Sequence, residues 1–139
     1  MKTSTSNQLS NEAVSLHRLV SRLQSGLMPR AVAKKSFIVN NVDKKHVALT
    51  DENTLAFIID GLIGNAIYSS CNACIWIETV FKGNQIQLLV KNAEKFTYSA
   101  EMNSLTGMLR VADDAGVNIA LHMEPTGAFT VIISMACAA

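Results

Sequence analysis

The sequence predicts an α+β protein, a two-layer sandwich in which helices cover one face of a mixed, mostly antiparallel sheet. Three observations point to this class: stretches with apolar residues at helical spacing, two pairs of alternating segments joined by turn residues, and helical patterns that separate those pairs along the chain. Of the 139 residues, 49% are hydrophobic and 17% are charged. These proportions fit one folded domain with a sizeable core and exclude an intrinsically disordered chain.

Charge and hydropathy narrow the possible partners and location. The net charge of +1 argues against an electrostatic nucleic-acid binder. No apolar run approaches the about 18 residues that a membrane-spanning helix needs, and residues 1–8 are polar and lack a hydrophobic signal region. We therefore expect a cytoplasmic protein with no nucleic-acid partner and no membrane association. Residues 1–9 should form a disordered tail and residues 10–139 a single domain.

The first helix is predicted to begin at Ser10, a residue type that favours helix N-caps, and to run to about Gly26. Gly26 and Pro29 are expected to end it. Its apolar residues form one stripe at helical spacing: Val14, Leu16, Leu19, Val20 and Leu23.

A second helix follows two short extended segments. Residues 36–40 read as a strand, and residues 46–49 are extended at most. Thr50 or Asp51 should cap the helix, with Glu52 in its first turn, where a negative charge suits the helix dipole. The apolar stripe is broad, so this helix should be well buried: Leu55, Ile58, Ile59, Leu62, Ile63, Ala66 and Ile67.

The middle of the chain predicts a β-hairpin. Residues 73–81 are rich in β-branched and aromatic side chains, residues 82–84 form a turn signal, and residues 85–91 alternate between apolar and polar.

A third helix and a second hairpin complete the predicted fold. Residues 101–115 have helical spacing and end at Gly116. Alternation over residues 117–123 and 129–135, around a Pro-Thr-Gly turn, predicts the hairpin. The predicted element order is therefore α-β-α-β-β-α-β-β.

The cysteines invite a redox or zinc interpretation, because Cys71 and Cys74 have C-x-x-C spacing. A zinc site would need more ligands, and Cys137 and the three histidines are not paired at ligand spacing. A thioredoxin-like motif would follow a strand and open a helix, whereas this pair follows a helix and precedes a strand. We expect structural thiols that behave as small buried hydrophobes.

The second helix carries one amide, Asn65, within Gly61-Leu62-Ile63-Gly64-Asn65-Ala66. A buried amide is costly unless it is hydrogen-bonded or has a function. This segment resembles the N-box, roughly N-L-x-x-N-A, of the ATP-binding (catalytic) domain of sensor histidine kinases, in the superfamily that includes DNA gyrase. Residues 111–133 resemble that family's last helix and hairpin, and the element order is similar. The resemblance covers about residues 12–135 and implies a histidine kinase ATPase-like fold.

The resemblance also implies a set of nucleotide-binding positions. Asn65 stands where the family holds Mg²⁺, for which an amide oxygen is a hard, neutral ligand; hydrogen bonding to backbone near the helix end is the structural alternative. Asn92 stands where an aspartate accepts a hydrogen bond from adenine, and an asparagine can still accept one. Asp60 and Tyr68 flank the N-box and complete the candidate set, with Tyr68 where a basic residue is common.

Several positions depart from the family's pattern. Glu94 and Phe96 replace the two glycines of the D-x-G-x-G signature, and no glycine lies between Gly83 and Gly107, where the ATP lid belongs. Gly61 takes the first N-box position, so no side chain there can activate water. We therefore expect no catalytic residues and no bound cofactor, although ATP and Mg²⁺ would be the ligands of a surviving site.

The expected function is that of a degenerate, non-catalytic domain that serves two-component signalling as a protein-interaction or regulatory module. Its partner would be a response regulator or a partner kinase, and a homodimer is left open. The alternatives are an ATP- and Mg²⁺-binding sensor kinase domain that phosphorylates a partner, and an anti-sigma-type serine kinase regulator. His17 does not fit a phosphoacceptor, because Arg18 follows it instead of an acidic residue.

The segment that replaces the lid supplies three large side chains: Phe96, Tyr98 and Met102. We expect them to plug the former nucleotide site from within. The alternative is an exposed patch for a partner, since aromatic residues and methionine are enriched in interfaces.

Overall fold

The computed structural model describes residues 12–69, 72, 74–92, 116–123 and 129–137. Within these ranges the side chains of residues 65, 66, 68, 69, 123 and 129 are not described. The elements are β1 (Glu12–Ser15), α1 (Leu16–Ala33), β2 (Phe37–Asn41), β3 (Val47–Thr50), α2 (Glu52–Ser69), β4 (Cys74–Lys82), β5 (Gln85–Asn92), β6 (Asn118–Met123) and β7 (Phe129–Cys137).

The strands form one seven-stranded sheet in the order β1-β3-β7-β5-β4-β2, and β6 pairs with β7. All pairs are antiparallel except β2 with β4, which is parallel. Buried strand residues alternate with more exposed ones, and the buried residues form one core with those of α1 and α2. The predicted class, an α+β sandwich with a mixed and mostly antiparallel sheet, is confirmed.

Both predicted hairpins are present. Strands β4 and β5 pair along their length, from Ile75 opposite Asn92 to Lys82 opposite Gln85. In the turn between them Gly83 has a positive φ of 65°. Strands β6 and β7 pair along their described length, and the turn between them lies outside the described residues. The predicted third helix, the N-terminal tail and the segment with Phe96, Tyr98 and Met102 also lie outside them.

The prediction that the first helix begins at Ser10 is wrong. Residues 12–15 form β1, which pairs antiparallel with β3, with Glu12 opposite Thr50 and Ser15 opposite Val47. The helix begins at Leu16, and the Ser15 hydroxyl accepts a hydrogen bond from the Arg18 backbone N–H at 3.4 Å. Pairing with β3 satisfies the backbone of these residues as well as a helical turn would, and the downstream serine serves as the cap.

The predicted end of the first helix near Gly26 is also wrong, because α1 continues through Pro29 to Ala33. Proline in a helix interior removes one backbone hydrogen bond. The turns that contain it bury Leu27 and Ala31 completely, and this burial favours continuation.

Two hydrogen bonds end α1 in a Schellman motif. The Ser36 N–H donates to the Ala31 carbonyl at 2.8 Å, and the Lys35 N–H donates to the Val32 carbonyl at 3.0 Å. Lys35 has a φ of 54°, the left-handed conformation that glycine normally provides at this position. No glycine therefore marks the end of this helix in the sequence.

Polar side chains of α1 cover β2, which is an edge strand of the described sheet. Gln24 Nε2 donates to the Ile38 carbonyl at 2.7 Å. Asn40 Nδ2 donates to the His17 carbonyl at 3.2 Å and to Ser21 Oγ at 2.9 Å. These bonds fix α1 along β2, and the bond from Gln24 satisfies one backbone carbonyl of the strand.

His46 directly precedes β3 and contacts residues of β4. It is buried, its Nδ1 lies 2.6 Å from Thr79 Oγ1, and its ring meets the Phe81 ring edge-on with centroids 4.3 Å apart. It therefore ties the turn before β3 to β4.

The expectation of buried thiols is wrong for Cys74, which is exposed at the start of β4. It lies opposite Phe37 of β2, on the sheet face away from the core. Cys137 is half-buried, and Cys71 lies outside the described residues.

Three side chains form a polar cluster on the outer face of the sheet. Lys91 Nζ donates to Glu78 Oε2 at 2.8 Å, and Trp76 Nε1 donates to Glu78 Oε1 at 2.8 Å. The hydrogen bonds from Lys91 and from Trp76 lower the pKa of the Glu78 carboxyl below its ordinary value.

Lys35→Gly should stabilise the protein by about 0.5–1 kcal/mol, because glycine adopts the left-handed conformation without the steric cost that a lysine bears. Urea unfolding followed by circular dichroism measures the change. Lys34→Gly is the matched control: Lys34 has a φ of −97°, so glycine gains nothing there and should leave the stability equal or lower. Equal stabilisation by both changes would contradict the assignment of strain to Lys35.

Glu78→Gln should destabilise the protein at neutral pH by up to about 1 kcal/mol, the range for partly exposed ion pairs. Because the folded-state pKa is lowered, the carboxylate contributes stability above its unfolded-state pKa and loses it as the pH falls through the folded-state pKa. The difference between wild type and variant should therefore shrink as the pH falls from neutral through the lowered pKa of Glu78. Denaturant titrations at neutral and at acidic pH test this. Glu12→Gln, at an exposed position on β1, is the control and should leave the stability at neutral pH unchanged.

Candidate functional site

The helix that carries the N-box residues is fixed at its first turn. Asp51 Oδ1 accepts a hydrogen bond from the Thr54 N–H at 2.9 Å, so Asp51 is the N-cap, one of the two predicted candidates. Glu52 is in the first turn as predicted, and its Oε2 lies 3.0 Å from Arg22 Nη1 of α1. Sequence reasoning missed Arg22, because a partner thirty positions away leaves no local pattern.

The apolar stripe of α2 is buried as predicted. The described members of the stripe are all inaccessible or nearly so: Leu55, Ile58, Ile59, Leu62, Ile63 and Ile67. A Cβ added to Gly64 would lie 3.8 Å from Arg30 Nη1 and 4.0 Å from Leu27 Cδ2. The Gly64 side of the helix is therefore directed towards α1, while its aliphatic side chains fill the core.

The four predicted nucleotide-binding residues fall on two elements. Asp60, Asn65 and Tyr68 lie on α2, where Asp60 is half-buried. The side chains of Asn65 and Tyr68 are not among the described ones, so their part in a site remains a prediction.

Asn92 is the last residue of β5 and is only 5% exposed. It follows Ile86, Leu88 and Val90 on the buried face of the sheet, the face that the helices cover. In register it pairs with Ile75 of β4 and with residue 129 of β7. The amide therefore ends an apolar row at the edge of the core, on the sheet face that packs against the helices.

Residues 93–115 follow Asn92 directly and lie outside the described residues. They include Glu94 and Phe96 at the positions of the family's glycines. Closure of the nucleotide site by these side chains thus stays a prediction.

No group of three or more histidine, cysteine, aspartate or glutamate side chains within the described ranges could hold a metal ion. Within the part of the chain that the structure describes, no helix is both long and apolar enough to cross a membrane.

The sequence matches no protein-family model and no curated protein. The structure, in contrast, is similar to solved histidine kinases. The Acinetobacter baumannii histidine kinase AdeS superposes with a TM-score of 0.82 at 12% identity, over 95% of this chain and 70% of that one. The catalytic domain of histidine kinase ThkA gives a TM-score of 0.76 at 12% identity, over 92% of this chain and 96% of that one.

A third similar structure is full-length ShkA in complex with AMPPNP, with a TM-score of 0.80 at 19% identity. It matches 95% of this chain, which spans only 32% of ShkA. The chain therefore has the fold of histidine kinase catalytic domains, as its sequence resemblance implied. Identities this low establish the fold alone.

Asp51→Ala should destabilise the protein by about 1 kcal/mol, because the first turn of α2 loses the acceptor for the Thr54 N–H. Asp51→Asn keeps an oxygen acceptor and should retain most of the stability. Thermal and urea unfolding of both variants give the comparison. If the asparagine variant is as unstable as the alanine variant, Asp51 contributes its charge and not the cap.

Proposed function

We propose that this chain is a degenerate histidine kinase-like domain that has lost phosphoryl transfer and acts as a protein-interaction or regulatory module in two-component signalling. The proposal is supported above all by Gly61, which lies within α2 at the first N-box position of a domain with the histidine kinase catalytic fold. A glycine offers no side chain to hold Mg²⁺ or to activate water.

The sequence after β5 supports the same conclusion. Phosphoryl transfer depends on positioning and on neutralising phosphate charge. Glycine-rich backbone supplies many of the N–H donors that cradle phosphates, and here Glu94 and Phe96 replace it. Glu94 also adds a negative charge where the ligand would bring several more.

A response regulator is the partner class that we propose. Histidine kinase ThkA, whose structure was solved in complex with the response regulator protein TrrA, superposes on 92% of this chain with a TM-score of 0.74. A domain that keeps this fold keeps a surface on which such contacts can be built, even where the nucleotide chemistry has gone.

The alternative is an ATP- and Mg²⁺-binding kinase domain that phosphorylates a partner. Two observations favour it. Asn65 preserves the N-box amide within α2, and Asn92 preserves a hydrogen-bond acceptor in a buried position at the end of β5. Both residues would be needed to hold ATP without a lid.

Calorimetric titration with Mg-ATP and Mg-ADP separates the two functions. We expect no binding with a dissociation constant below about 1 mM, which corresponds to about −4 kcal/mol. Micromolar binding that Asn65→Ala and Asn92→Ala abolish would establish the alternative. Asn84→Ala is the control for these changes, because Asn84 is an exposed residue of the β4–β5 turn. Phosphate transfer from labelled ATP to the chain would likewise contradict the proposal.

A further inference from the structure

A groove of about 430 Å³ lies between the C-terminal half of α1 and the start of β2. Three of its four apolar lining residues are open to solvent: Phe37 is 69% exposed, Val32 64% and Met28 40%, whereas Ile38 is buried. We refer to this feature as the α1–β2 groove. Contiguous exposed apolar side chains often mark sites of interaction with another molecule.

The described lining of the α1–β2 groove carries charge of one sign. Lys35 is positive, and the remaining lining residues are neutral: Met28, Val32, Ser36, Phe37, Ile38 and Asn72. No acidic residue belongs to the described lining. An occupant that complements this groove therefore combines apolar side chains with a negative charge.

The hydrogen bonds of β2 decide between a strand and a helix as the occupant. An added strand would need free backbone groups on the edge of β2. The Ile38 backbone carbonyl already accepts a hydrogen bond from Gln24 Nε2 of α1, so this part of the β2 backbone is engaged. A helix brings a backbone that is satisfied internally and offers only side chains.

We propose that the α1–β2 groove binds an amphipathic helix of a protein partner. Large apolar residues at i, i+4 and i+7 of that helix contact Met28, Val32 and Phe37, and a glutamate or aspartate beside them contacts Lys35. The inference rests on the proposed interaction function and adds the location and the chemistry of the contact.

The test uses a fluorescent amphipathic peptide of about 15 residues, enough to form a helix, with leucines at i, i+4 and i+7 and flanking glutamates. Fluorescence anisotropy with the full chain should show saturable binding that Phe37→Ser weakens at least about tenfold, because the aromatic side chain is the largest apolar contact. The control Phe57→Ser removes a phenylalanine of α2 that is 56% exposed and lies outside the groove. It should leave the affinity unchanged.

A charge exchange tests the electrostatic part. Lys35→Glu should weaken binding of the glutamate peptide and restore binding to a matched peptide with lysines in place of the glutamates. Lys82→Glu, an exposed lysine at the end of β4, should do neither. Equal affinity of both peptides for the wild-type chain would overturn the acidic partner.

Other outcomes are equally decisive. Absence of saturable binding at millimolar peptide, or equal effects of Phe37→Ser and Phe57→Ser, would overturn the groove proposal. A concentration-dependent dimer in analytical ultracentrifugation that Phe37→Ser dissociates would replace the partner helix by a second copy and also overturn it. The nucleotide titration is independent of the peptide titration. If the chain binds ATP and also binds the peptide, only the proposed loss of the nucleotide site is refuted. If it binds neither, only the groove proposal is refuted.

Discussion

Burial of α2 against the sheet is the constraint on which the rest of the structure depends. Its aliphatic side chains are inaccessible, and each contributes about 1.5–3 kcal/mol relative to exposure. None of this stabilisation requires nucleotide, because the same residues would pack whether or not Asn65 meets a magnesium ion. The fold therefore depends on the apolar pattern of α2 and not on a bound ligand, and a chain at 12% identity to AdeS can superpose on it with a TM-score of 0.82.

The fold class and both hairpins could be predicted from sequence, because the alternation in β5 and β7 and the broad stripe of α2 each report a buried face directly. The limits of α1 could not. Its start depends on pairing with β3, thirty or more residues away, and its end places Lys35 where the usual signal is glycine. Both are tertiary effects that override local preference.

In the candidate site, too, some residues could be predicted from the sequence and others could not. The buried position of Asn92 follows from its place in the alternation of β5, and Asp51 was one of two cap candidates. The pairing of Arg22 with Glu52 left no local pattern in the sequence. The same holds for the contacts of Gln24 and His46, since a polar residue on a helix or loop reveals its partner only when the chain has folded.

Helix α1 contacts α2 and also lines the proposed α1–β2 groove. Leu27 and Arg30 of α1 approach α2 at Gly64, one residue before the N-box asparagine, whereas Met28 and Val32 line the α1–β2 groove. These residues alternate within two turns of a helix that Asn40 and Gln24 hold against β2. Because the helix is rigid, the packing of Leu27 against α2 also fixes the positions of Met28 and Val32 in the groove. The exposed apolar surface is therefore part of the same helix that packs against α2.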